Sequence, residues 1–304
     1  MNPAPSAGRA DPSLEQIGKL LDALPTLPLV ALRLSELMNA RRSSVQQVAE
    51  LLSIDPSLSA KLLRLVNSAY FGIPGGVTDI ARAIPFVGFN TIYQLVVTVS
   101  VLETLTVPGV GTFDPRELWL HSLAVGATAR VIGEQIGHAD PGSLFTAGLL
   151  HDMGKIAQAK LMPERLIAVQ TAMRKDGLTA SAAEAQLGLL GHDRIGTELA
   201  RRWRLPAALV VPIECHHTVA RPEVRERLPG PHRTATEVIA VANLLARHIV
   251  PGIDSTIGPP PEDLAAQTLL ETLGIGAGMR GQLYARASAQ LERSRPFLQV
   301  LDGK

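Results

Sequence analysis

Ala147-Gly148-Leu149-Leu150-His151-Asp152-Met153-Gly154-Lys155 is the stretch on which the fold turns. Four apolar or small residues lead straight into an adjacent imidazole and carboxylate. Lys155 follows one helical turn later. A polar pair approached this way is headed for the interior, where it is costly unless paired or ligated. Imidazole and carboxylate together suit a divalent first-row metal such as Mn²⁺, Fe²⁺ or Zn²⁺. A lysine one turn away is placed to hold a phosphate as a point charge.

Reading outward, the surroundings are helical. The stretch itself falls in a helix expected near 142–160. Before it, Asp114-Pro115 combines a capping acid with proline at the first helical position and opens a long helix to about Ile136. Asp55-Pro56 repeats that signal for a helix to about Ala69. Ser13 is placed to cap a helix bearing Leu14, Ile17, Leu20, Leu21 and Leu24 at three- and four-residue spacing. Val30, Leu34, Leu37 and Met38 mark the next helix, and Val45 to Leu52 another with Ser44 as cap. Thr78 caps a short helix to Val87, Gly88 ends it, and Asn90 caps a longer one to about Leu105. Beyond the stretch, helices are expected near 163–175, 179–189, 192–203, 206–217 and 234–249. Two more follow the Pro259-Pro260-Pro261 break, near 262–273 and 277–295. No strand pattern and no internal repeat competes with these.

Composition agrees with a helical globular chain. Of 304 residues, 46% are apolar, 19% charged and 4% aromatic; scarce aromatics disfavour sheet. The net charge of +1 gives no bulk pull toward nucleic acid. Arg201, Arg202 and Arg204 around Trp203, with Arg221, Arg225 and Arg227, form the one basic-aromatic cluster; such clusters are usually solvated helix faces. Nucleic acid is therefore an unlikely partner. Cys215 is the single cysteine, which fits a reducing compartment. Leu95 to Leu105 is too short to span a bilayer, which takes about 20 residues. The expectation is a cytoplasmic protein with no membrane partner.

Of the eight histidines, His121, His151, His192 and the His216-His217 pair fall on different expected helices. Helical bundles gather metal ligands in this way. His138, His232 and His248 follow no such plan, and spacing alone leaves the ordinary core or surface histidine as the commoner reading. Cys215 reads as buried and inert, Asp193 equally as a helix-start acid or a ligand, and Glu184 and Glu198 as solvated.

The chain resembles a known family at several points. Leu118-Trp119-Leu120-His121-Ser122, the stretch from Ala147 to Lys155, and Gly191-His192-Asp193-Arg194-Ile195-Gly196 look like the HD superfamily. Arg202-Trp203-Arg204-Leu205-Pro206 and His216-His217 extend the likeness. Leu24-Pro25-Thr26-Leu27-Pro28, the run from Asp55 to Phe71, and Ala83-Ile84-Pro85-Phe86-Val87-Gly88 are similar to the HDOD domain in particular. Together these cover about residues 15–250.

The resemblance implies an all-α, multi-helix HD-like bundle with an N-terminal helical lobe. The expected division is a disordered tail over 1–12, an N-terminal lobe over 13–108, and an HD-like lobe with C-terminal helices over 113–304. HDOD domains are regarded as non-catalytic relatives of HD phosphohydrolases, and HD-GYP phosphodiesterases are their nearest catalytic comparison. Carried over by motif, His121, His151 and Asp152 match the first metal ligands, His192, His216 and His217 the further histidines of multinuclear sites, and Lys155 the phosphate-contacting lysine. Two departures follow. The closing aspartate is replaced by Asn243, a weaker ligand, and Thr218-Val219-Ala220-Arg221-Pro222 stands where Gly-Tyr-Pro would. The reading is a bacterial signalling protein without catalysis, acting on a signalling protein partner or a small nucleotide. A metal-dependent phosphohydrolase acting on a nucleotide or cyclic dinucleotide is the alternative.

Overall fold

The computed structural model describes residues 14–39, 44–250 and 264–301. The expected tail over 1–12, the Ser13 cap and the last three residues lie outside them. The described residues form α1 (Leu14–Leu21), α2 (Leu29–Asn39), α3 (Val45–Ser53), α4 (Pro56–Val66), α5 (Ile80–Val87) and α6 (Phe89–Thr104). There follow α7 (Pro115–Gln135), α8 (Pro141–Leu150), α9 (Met153–Leu161), α10 (Pro163–Asp176), α11 (Ala180–Gln186) and α12 (His192–Arg202). The chain continues through α13 (Ala207–Cys215), α14 (Pro222–Arg225), α15 (Gly230–Ile249), α16 (Leu264–Thr272), α17 (Ala277–Ser294) and α18 (Pro296–Leu301). Among the described residues, β pairing is confined to one isolated bridge, Val110 to Phe113. The fold is all-α.

The capping signals at Ser44, Asp55 and Asp114 hold. Asp55 accepts from the Leu58 amide and Asp114 from the Arg116 amide, each ahead of its proline. Ser44 and Gln47 close a reciprocal capping box. Several boundaries differ from expectation. Asp79, not Thr78, caps α5, because its carboxylate reaches the Arg82 amide. Gly88, with φ at 84°, turns the chain so that α6 begins at Phe89, and Asn90 lies inside its first turn rather than capping it. The helix expected over 142–160 is two, α8 and α9, and His151-Asp152 occupies the break. The helix expected over 206–217 ends at Cys215, which puts His216 and His217 in the turn beyond it.

One apolar cluster runs through the molecule from Ile17 to Val300. Its axis is α7, buried along most of its length and packed most extensively on α8, α15 and α17. The α7–α8 contact is made backbone to backbone. A Cβ on Gly148 would stand 2.8 Å from the Gly126 Cα, so only glycine lets these helices approach. α12 packs on α9 and α13, while α1 reaches α9 and α12. No single described helix is long and apolar enough to cross a membrane.

Candidate metal centre

Five helix ends and faces bring the site together. His121 sits mid-way along buried α7. His151 and Asp152 occupy the break between α8 and α9, where Asp152 leaves helical geometry at φ −102°, ψ 14°. Lys155 follows in the first turn of α9. His192 opens α12, His216 and His217 follow α13, and Asn243 lies on α15. α9 and α12 meet at Gly154, where a Cβ would fall 1.9 Å from the His192 carbonyl oxygen and 2.8 Å from the Gly196 nitrogen.

The hydrogen bonds at the edge of the cluster fix how each ring is turned. His151 Nδ1 donates to the Gly148 carbonyl at 2.7 Å. His216 Nδ1 donates to the carbonyls of Pro212 and Ile213 at 3.1 and 3.0 Å. His192 Nδ1 lies 2.8 Å from Glu184 Oε2. A carbonyl oxygen can only accept, so Nδ1 carries the hydrogen in His151 and His216, and the Nε2 atoms of all three rings face inward. They surround Asp152: His151 Nε2 lies 3.3 Å from Oδ2, and His192 and His216 Nε2 lie 3.1 and 3.7 Å from Oδ1. Lys155 donates to Oδ2 at 2.7 Å. His192 and His217 bring their Nε2 atoms to 2.9 Å, and His121 Nε2 stands 2.9 Å from Asn243 Oδ1.

Apart from His217, which is exposed, and Asn243, which is half-buried, this arrangement is buried. His151 and His192 are wholly inaccessible, and Asp152 is 1% exposed. His151 Nε2, His216 Nε2 and Asp152 Oδ1 have no hydrogen-bond partner, though all are buried. Burial alone would raise the Asp152 pKa, but His151 and Lys155 beside it hold the carboxyl well below the usual range. Burial would lower His192, but the Glu184 carboxylate outweighs it, with Asp152 adding to the effect, and raises it to about 9. His121 is held well below its ordinary value by burial and then by His151, Lys155 and Arg247.

Asp152, His192, His216 and His217 each offer a ligand atom, all within 4.8 Å of one another; His121, His151 and Asp152 form a second such group. Inward-facing imidazole nitrogens around an ionised carboxylate, with buried acceptors left unsatisfied, fit a divalent first-row cation. Outer partners of the ligating histidines, here two carbonyls and a carboxylate, are the usual way such rings are aimed. A cavity of about 350 Å³ opens beside the cluster, lined by Lys155, His216, His217, Arg221, Asn243 and Arg247 among others.

All eight residues singled out from the sequence meet here. Glu184 is a correction: expected to be solvated, it is 2% exposed. It accepts from the His192 amide and from Gln158 Nε2 at 2.8 Å, besides meeting the His192 ring. Nothing local marked it, because its partner lies eight residues on and across a turn. His138 and His248 pair elsewhere, with the Asp140 amide and the Tyr284 ring. Asp193 sits in the first turn of α12. Cys215 is half-buried, its thiol pushed up to about 11 by burial and by Glu214 and Asp193. In the basic cluster, Arg201 and Arg202 are paired with Glu198, Glu214 and Asp22, while Trp203 is buried and donates to the Pro25 carbonyl.

Comparison with known proteins bears on the family and the fold. An HDOD domain protein of unknown function from Geobacter sulfurreducens superposes with a TM-score of 0.70 at 23% identity, covering 95% of this chain and 99% of that one. A candidate phosphohydrolase from Shewanella amazonensis SB2B gives a TM-score of 0.68 at 26% identity, covering 94% and 97%. An uncharacterized protein of Treponema pallidum (strain Nichols) is 27% identical over 238 residues. That match takes in 77% of this chain and 44% of the relative, so the chain spans less than half of the relative's length. The HDOD domain family itself matches residues 24–219, most of the chain, and the chain belongs to that family.

Proposed function

We propose that this chain is a regulatory HDOD protein of a bacterial signalling system. It holds a divalent cation in the His/Asp pocket and binds a small nucleotide or a signalling protein at the adjoining cavity, without turnover. The observation that carries this reading is Asn243, a neutral amide bonded to His121 where a second carboxylate would complete a hydrolytic centre. Bound there, the cation would supply Lewis acidity toward a phosphate oxygen. Lys155 is held by Asp152 at the pocket, and Arg221 and Arg247 line the same cavity, so the mouth presents cationic groups to an anionic ligand. Among the described residues the pocket has no spare carboxylate to take a proton from water: Asp152 is tied to Lys155, and Glu184 is occupied by His192 and Gln158.

The test pairs elemental analysis with turnover. Wild-type protein loaded with Mn²⁺, Fe²⁺ or Zn²⁺ and then desalted is expected to retain metal, and Asp152→Asn to lose it. Incubation with nucleotides and cyclic dinucleotides is expected to show binding by calorimetry and no hydrolysis products. Metal-free wild-type protein would sink the reading. Hydrolysis that vanishes in Asp152→Asn would replace it with a metal-dependent phosphohydrolase. That second reading is favoured by the otherwise intact set of His121, His151, Asp152, Lys155, His192, His216 and His217, and by the likeness to the Shewanella protein.

A further inference from the structure

A second cavity, of about 380 Å³, lies apart from the histidine pocket and shares no lining residue with the one beside it. Its walls come from the loop after α4, from α5, α6, α7 and α8, and from Phe297 on α18. The volume falls within the range of small-molecule sites, about 300–1,000 Å³. Phe86 lines the cavity while 66% exposed, so its ring marks the mouth. Tyr70, Phe145 and Phe297 meet one another in the wall. Aromatic rings arranged this way offer faces and edges to a flat guest.

The charged groups there sort the guest by its own charge. Arg130 donates to Glu134 Oε1 at 3.1 Å, and Arg286 donates to Glu134 Oε2 at 3.2 Å. Asp140 accepts from Gln94 and from the Ser143 amide. Two guanidinium groups thus stand with two carboxylates, and each carboxylate is already bonded. A cationic or anionic guest would give up its hydration without meeting an unmatched opposite charge. An uncharged guest bears no such cost.

The guest is nonetheless polar along one edge. Thr98 lines the cavity and is 1% exposed, and its hydroxyl makes no hydrogen bond among the described residues. A buried hydroxyl left in that state is costly, and a ligand that pairs with it removes the cost. Gln94 gives its Nε2 to Asp140, which leaves its amide oxygen as an acceptor. A donor and an acceptor therefore stand ready beside the aromatic wall.

We infer that this cavity is a second ligand site, selective for an uncharged, flat heteroaromatic molecule with a hydrogen-bonding edge. The site is independent of the metal-holding reading. Its guest lies against α7, which carries His121, and α8, which leads into His151.

Calorimetric titration of the purified chain with three quinolines tests it. They are 4-quinolone, which is uncharged and carries a ring N–H and a carbonyl, the cationic 4-aminoquinoline and the anionic kynurenate. Saturable binding of one 4-quinolone per chain is expected, with both charged probes weaker by about 10-fold or more. Phe86→Ala alters an exposed ring, so the fold should survive, and 4-quinolone affinity is expected to fall by about 3- to 10-fold. Thr98→Val removes the unpaired hydroxyl. It is expected to weaken 4-quinolone by about 3- to 10-fold while leaving the unliganded chain at least as resistant to urea. No saturable binding of 4-quinolone, a charged probe bound as tightly, or wild-type affinity in either folded variant would overturn the inference. The two variants are read separately, so loss of fold in one leaves the other to decide.

Discussion

Two cavities of similar size, about 350 and about 380 Å³, share no lining residue and are built on opposite chemical terms. The larger is walled by Tyr70, Phe71, Phe86, Phe145 and Phe297, five of the eleven aromatic residues in the chain. Tyr70, Phe145 and Phe297 meet in edge-on or tilted contacts at 5.0 to 5.2 Å between centroids. The charged groups there are matched: the Arg130 guanidinium lies 4.6 Å above Tyr70 and bonds Glu134, and Gln94 donates to Asp140. Burial pushes the Tyr70 hydroxyl up to about 12. Beside the smaller cavity the reverse holds, with imidazoles and a carboxylate pressed together and three buried atoms unsatisfied. One region repays folding with packed apolar surface. The other sets folding a cost that a cation would remove on the proposed reading.

That contrast can be broken in three places. The largest effect is expected from Gly154→Ala, whose Cβ collides with backbone of α12 rather than with a movable side chain. It should cost about 5 kcal/mol or more, the exceptional range for one substitution, seen as a collapse of the urea midpoint together with metal loss. Next, Phe297→Ala removes a 1%-exposed ring from the aromatic wall. The expected cost is about 3–5 kcal/mol of stability, with metal content per folded chain unchanged; altered content would show that the two regions are not independent. The smallest effect on folding, and the one aimed at the histidine pocket, is Glu184→Ala. Its His192 ring would lose its outer anchor, lowering metal affinity by roughly 10- to 100-fold in a chelator competition. Unchanged affinity would show that His192 is not held for a ligand.

Much of this was legible in the sequence, and the reasons are local. Asp55-Pro56 and Asp114-Pro115 write helix starts into adjacent residues, and both hold. The candidate site was named by motif, and the fold gathers those residues. What stayed hidden depends on partners distant along the chain. The break at His151-Asp152 carries neither proline nor glycine at its centre; His151 itself keeps helical dihedrals, and only Asp152 departs. Pro231 falls in the first turn of α15, where proline is tolerated, so the helix starts at Gly230 rather than near 234. Glu184 looked like a solvated acid in a short alanine-rich helix because its burial is decided by His192 and Gln158, on two other helices.

The glycine contact between α9 and α12 has a further consequence. Where two helices touch through Gly154 and Gly196, no side chain stands between them to change rotamer. Asp152 and Lys155 on one backbone, and His192 on the other, are therefore brought into register when the chain folds, not when a ligand arrives. The conformational entropy of assembling those groups is spent in advance. An incoming cation or anion meets a rigid frame, and selectivity there becomes a matter of fit to fixed positions rather than of adaptation.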